Sequence, residues 1–318
     1  MKSGCRRLWL SVLSIILMLT VTVSTAACGG SPADTDDDDD NKGSDIGVAD
    51  TKDSAGMTGP AEESTAAVTK TEPEVTTDCD PEPETATVKR MLSAAIEVAG
   101  RCLYVWGGGW NEDDTGAGTE AMTVGVSPRW IGFFNENDSG YDYSDTRYQI
   151  HDGLDCSGFA GYVVYQVFED SYSDNGYVFT SGTMTEEYKN MFGGEVVDAS
   201  LVSDYRPGDI MGKKGHVYIV IGKCDDGSLL FIHASPPAVS LCGTPSADGK
   251  GESEAVALAR SYMSLYRSDC YVKFDTCERG ADFLVGYDQY RWDDEVLSDP
   301  DGYRDMSPEE MLADLFGE

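Results

Sequence analysis

An α+β domain is what the sequence predicts, and three stretches predict it. VKRMLSAAIEVAG, from Val88, sets Met91, Ala94, Ala95 and Val98 on one side of a helix that stops at Gly100. LDCSGFAGYVVYQVF, from Leu154, repeats the helical period with Phe159, Val163 and Val167 behind one cysteine, Cys156. HVYIVIG, from His216 to Gly222, is short, apolar and β-rich. CDDGS then reads as a turn and SLLFIHAS as a returning strand, which together make a β-hairpin.

The remaining chain is uneven in composition. Residues 1–27 carry Lys2, Arg6 and Arg7, an apolar run from Leu8 to Val23, then small residues, the three-part plan of an export signal and too short a run for a lasting membrane span. The STAAC that closes it resembles the lipobox of bacterial lipoproteins, with Thr25 where leucine is usual, and implies lipid attachment at Cys28. Cleavage at an A-x-A-like site with release is the alternative. Both place the protein outside the cytoplasm.

Residues 28–87 are rich in Asp, Glu, Thr, Ser, Gly and Pro and include the run Asp36 to Asp40, a composition that predicts a disordered acidic spacer. The run lacks the alternating ligands, turn glycine and closing glutamate of a calcium loop and reads as a solvated charge run. A folded domain is expected over 88–292, followed by a peripheral acidic tail over 293–318. Within the domain, 110–153 is a polar, turn-rich insertion, and 236–280 is a second insertion with a helix from Ser253 to Tyr266. A helix around Met184 to Met191, the turn RPGDI and the strand-like ADFLVGYDQYRW complete the reading.

The formal net charge of the 318-residue chain is −34, and losing Lys2, Arg6 and Arg7 with the signal makes it three units more acidic. Such a surface repels phosphate backbones, which argues against nucleic acid as a partner. Nine cysteines are present. With Cys5 and Cys28 set aside and Cys156 taken as free, Cys79, Cys102, Cys224, Cys242, Cys270 and Cys277 form an even set that permits disulfides without fixing their pairing. Neither C-x-x-C nor H-x-x-x-H spacing occurs, so no zinc site is expected.

Chemistry centres on Cys156. Unpaired N–H groups and the dipole at a helix start favour a thiolate, although small residues around a cysteine also suit tight packing. A cysteine nucleophile needs a base, and the base needs a group to hold its ring. The chain has three histidines, His151, His216 and His233. Opposite parity about the hairpin turn puts His216 and His233 on one face of the sheet, diagonal to each other, so that a bulge or longer turn is needed to bring them together. Each could instead end a strand and bond to backbone. The glycines behind Tyr104 and Trp106 in YVWGGG point to positive φ, to close backbone approach, or to a plain turn.

In order, YVWGGG, LDCSGFAGYVVYQVF, YRPGDI, GHVYIVIG and FIHAS resemble the successive motifs of the NlpC-type papain-like peptidases, bacterial enzymes that cut peptidoglycan stem peptides. The match covers Val88 to Ser235. The resemblance implies a papain-like fold with the Cys156 helix packed on an antiparallel sheet. It implies Cys156 as nucleophile, His216 as general base, His233 as the residue that orients it, and Tyr104 as an oxyanion donor beside the Cys156 N–H. Asp155 would meet a free amino group of the substrate, though an acid there is also a good helix cap. The implied bond is γ-D-glutamyl to diamino acid, with no metal or cofactor required. A glycan–peptide amidase and a non-catalytic surface-binding lipoprotein are the alternatives. The two insertions depart from the family pattern, and His151 has no counterpart in it.

Overall fold

The structure is a computed structural model and describes residues 85–317. The segments expected to be an export signal and a spacer, with Cys28 and Cys79, lie outside the described residues. Among these residues, seven α-helices accompany one antiparallel sheet of six strands, which is the α+β class expected.

Helix α1 (Val88–Val98) starts where the Thr87 hydroxyl accepts from the Arg90 N–H at 3.1 Å, and it buries Val88, Met91, Leu92, Ala95 and Val98. Helix α2 (Pro128–Glu136) lies inside the first insertion, where Trp130 and Phe134, one turn apart, anchor it. Its polar neighbours hid that short stripe. Helix α3 (Cys156–Phe168) buries every residue but Phe168 and is the central helix, apolar around its whole girth. Helix α4 (Met184–Phe192) follows at the expected place.

The strands are β1 (Glu195–Val197), β2 (Ile210–Lys213), β3 (His216–Lys223), β4 (Leu229–Ser235), β5 (Ala238–Gly243) and β6 (Asp288–Arg291), in the order β1-β6-β2-β3-β4-β5. The expected hairpin, β3 and β4, lies inside the sheet. Of ADFLVGYDQYRW only Asp288–Arg291 is strand, because Ala281–Leu284 forms a 3-10 turn. Buried Asp209 ties β2 to β6: it accepts from Arg291 Nη2 at 2.9 Å, Gln289 Nε2 at 2.8 Å and the Arg206 N–H at 2.7 Å. A buried carboxylate satisfied this way fixes register more than it adds stability.

Helices α5 (Glu254–Tyr266), α6 (Ser268–Phe274) and α7 (Pro308–Phe316) complete the fold. The tail is not peripheral as expected. Leu297, Tyr303, Met311 and Leu312 are buried, Ser298 bridges to Thr87, and α7 packs on β3. Gly222 makes room for it, since a Cβ there would stand 2.9 Å from Met311 Cε. The acids of the tail face outward between widely spaced apolar residues, and for that reason the composition misled.

Two apolar clusters flank the sheet. The larger joins α1, α3 and α5 to Val217, Ile219, Ile221, Leu230 and Ile232, and it includes Cys156. The smaller holds Met211, Tyr218, Val220, Phe231, Cys242 and Tyr287, with Phe283 packed against it. Strand alternation sets His216 and His233 with this second group.

Candidate active site

Backbone-to-backbone contact fixes the start of α3. Gly107 and Gly109 have φ of 82° and 88°, while a Cβ on Gly158 would lie 2.0 Å from the Gly108 carbonyl oxygen. The three-glycine turn of YVWGGG therefore meets both of the glycine requirements, positive φ and close approach. Asp155 caps the helix: its Oδ1 accepts from the Gly158 N–H at 2.7 Å and from the Ser157 hydroxyl at 2.8 Å. Trp110 Nε1 donates to that hydroxyl at 3.1 Å, which locks the turn from the side.

His216 begins β3 and His233 lies within β4. The anticipated bulge falls between Val220 and Gly222. Beyond it the Ile219–Ile232 register, continued one step, sets His233 opposite Tyr218 and diagonal to His216. The rings meet at right angles, with His216 Nε2 and His233 Nδ1 2.9 Å apart. This leaves Nδ1 as the His216 nitrogen for another partner. Phe283 packs edge-on to both imidazoles, at 5.3 and 5.4 Å between centroids. The Val217 N–H, one residue past His216, bears on the Cys156 sulfur together with the N–H groups of Ser157 and Cys156 itself. Cys156 and the histidines thus belong to opposite faces of the sheet, linked at the start of β3 by the Val217 N–H beside His216.

Tyr104 belongs to the same centre. Burial first, then the charges of Cys156 and Asp155, push its phenol pKa upward, so the hydroxyl stays a donor. The first insertion braces it: Tyr141 Oη donates to the Tyr104 carbonyl oxygen at 2.7 Å, and the Tyr143 ring packs on it edge-on at 5.5 Å. His151 sits away in that insertion, with Nδ1 2.7 Å from Glu120 Oε1.

Electrostatics reverse one expectation. The helix start was expected to favour a thiolate, but burial, followed by the charge of Asp155, pushes the Cys156 thiol up to about 12. Cys156 is 8 % exposed, and desolvation outweighs the N–H groups around the sulfur. Burial, then Lys213 and Arg279, pushes His216 down to about 3. His233, fully buried, is lowered by burial, then by His216 and Arg279. The resting centre holds a neutral thiol and neutral imidazoles. Asp155 is itself pushed up to about 6, chiefly by burial.

These shifts give a stability prediction. Both histidines stay unprotonated in the fold below the ordinary histidine value of about 6.5, where the unfolded chain binds protons. Stability therefore falls as pH falls through that window, at up to about 1.4 kcal/mol per pH unit per histidine. Asp155 acts in the opposite sense, because the folded state takes up its proton first. His233→Gln is expected to flatten the dependence of Tm on pH between about pH 6.5 and about pH 4. An unchanged slope in melting scans would remove the buried neutral histidine from the account.

Sequence reasoning missed Arg279, Phe283, Tyr287 and Cys242, which surround the histidine pair. Three of them come from 276–287: Phe283 and Tyr287 lie in the part of the strand-like stretch that is not strand, and Arg279 stands in no pattern. The described cysteines Cys102, Cys156, Cys224, Cys242, Cys270 and Cys277 are all unpaired thiols. Comparison with protein-family models, with curated proteins and with solved structures found no match.

Proposed function

We propose that this protein is a cell-wall hydrolase with a papain-like fold that cleaves amide bonds in peptidoglycan stem peptides, as NlpC-type cysteine peptidases do. The observation that carries the reading is the 2.9 Å contact between His216 and His233 at the point where the Cys156 sulfur meets the Val217 N–H. Cys156 attacks the amide carbonyl while His216 Nδ1 takes the thiol proton. His233 holds the His216 ring. The Cys156 N–H and the Tyr104 hydroxyl donate to the oxyanion, and His216 returns the proton to the leaving amine. Water then releases the acyl group by the same route.

The substrate bond is assigned as γ-D-glutamyl to diamino acid, with Asp155, beyond its capping of α3, as the residue that meets a free amino group, and no metal or cofactor enters. Export with lipid attachment at Cys28 tethers the enzyme outside the cytoplasm at the bacterial membrane. The test is mass spectrometry of peptidoglycan fragments incubated with the purified mature protein. A new amine on the diamino acid is expected. A cut between glycan and peptide would make the protein an amidase instead, and no new amine of either kind would overturn the hydrolase reading in favour of a binding lipoprotein.

A further inference from the structure

Arg279 stands behind His233. Its Nε donates to His233 Nε2 at 3.1 Å, its Nη1 donates to the Glu278 carbonyl oxygen at 3.2 Å, and its Nη2 is buried without a hydrogen-bond partner. The backbone holds it there: the Arg279 N–H donates to the Gly243 oxygen at 3.0 Å, and the Gly243 N–H donates to the Cys277 oxygen at 2.8 Å.

A guanidinium has five donors, no acceptor and a permanent charge. The ring nitrogen it meets must therefore offer a lone pair, which puts the single proton of neutral His233 on Nδ1. That proton points to His216 Nε2, 2.9 Å away. His216 then accepts at Nε2 and carries its own proton on Nδ1, the nitrogen that the thiol needs. A protonated Nδ1 has no lone pair left to receive another proton.

We propose that Arg279 is a positioning residue: it holds the His216–His233 pair in a protonation pattern that withholds the base, and catalysis begins when the guanidinium leaves His233. The inference rests on the reading of Cys156 as nucleophile and His216 as base. The protons balance. On release, His216 and His233 each move one proton from Nδ1 to Nε2, with water as carrier. The Cys156 S–H proton then passes to the vacated His216 Nδ1 and leaves a thiolate beside an imidazolium.

The released state already has its acceptor. Cys242 Sγ lies 3.5 Å from His233 Nε2, and its own thiol proton goes to the Thr276 oxygen at 3.0 Å, which leaves the sulfur lone pairs open to a His233 N–H. A half-buried guanidinium with one buried nitrogen unpaired is also weakly held in its place. The other titratable or charged groups around the pair are Lys213 on β2, Tyr218 on β3, Cys242 on β5, Cys156 and Asp155 at α3, and Tyr287. Lys213 places its ammonium over the Tyr287 ring at 4.1 Å. Of these groups and Arg279, only Arg279 is an obligate donor bonded to a ring nitrogen of the pair.

Two readouts on the full chain without substrate test this. Nitrogen NMR of the histidines at neutral pH should find His233 as the Nδ1–H tautomer in the native protein and as Nε2–H in Arg279→Met. Iodoacetamide labelling, read at Cys156 by peptide mapping, should be about tenfold faster in that variant, as one unit off the thiol pKa would give. A native His233 protonated on Nε2, or a folded variant alkylated no faster, overturns the proposal. Should Arg279→Met not fold, the native tautomer decides by itself. Absence of peptide hydrolysis with both readouts intact would count against the hydrolase reading and leave the arginine lock standing.

Discussion

Cys156→Ala is expected to end fragment release from peptidoglycan, lowering kcat/KM by about 10⁴-fold or more, as removal of a nucleophile does. No neighbouring thiol can replace it. Cys242, which touches the histidine pair, is fully buried, lies behind His233 and has its thiol pushed up to about 12 by burial. The substitution removes one sulfur atom from a helix start whose cap, Asp155, and glycine contacts do not depend on it. Tm should therefore stay close to that of the native protein, and the loss should be one of chemistry. Chromatography of the released peptides measures it, and undiminished release by the variant would remove Cys156 from the mechanism.

How much of this was legible in the sequence follows from where each signal lies. The helix at Val88 and the hairpin at His216 could be read because one face of each is apolar at its own period, and that face is the one buried. The pairing of His216 with His233 followed from parity, and the bulge that tightens it was expected because simple alternation left the rings too far apart. Strand β5 was missed because AVSLCG mixes small and polar residues, and its burial comes from α5 crossing it. The state of the thiol was misjudged for a related reason. A helix start is a local feature, whereas the burial that raises Cys156 to about 12 is a property of the packed core that contains it. Arg279 is the extreme case: a lone arginine in a loop, whose donation to His233 exists only because Cys277 and Arg279 pair with Gly243.

His216→Ala is expected to lower kcat by about 10²–10⁴-fold, the usual contribution of a positioned general base, with KM little changed because the imidazole acts on the thiol and the leaving group. The distinguishing result is the pH profile. In the native protein His216 is neutral through the physiological range, so its supply of base does not change there. Without it, attack depends on the small fraction of Cys156 present as free thiolate. With the thiol at about 12, that fraction grows tenfold with each pH unit across the neutral and mildly alkaline range. Residual activity of the variant should therefore climb with a log–log slope of one where the native profile is flat. Added imidazole should restore part of the rate if it can enter the space vacated beside Val217. A variant that keeps both the native rate and the native profile would show that the proton of Cys156 leaves by another route, and the pair at the start of β3 would then be structural.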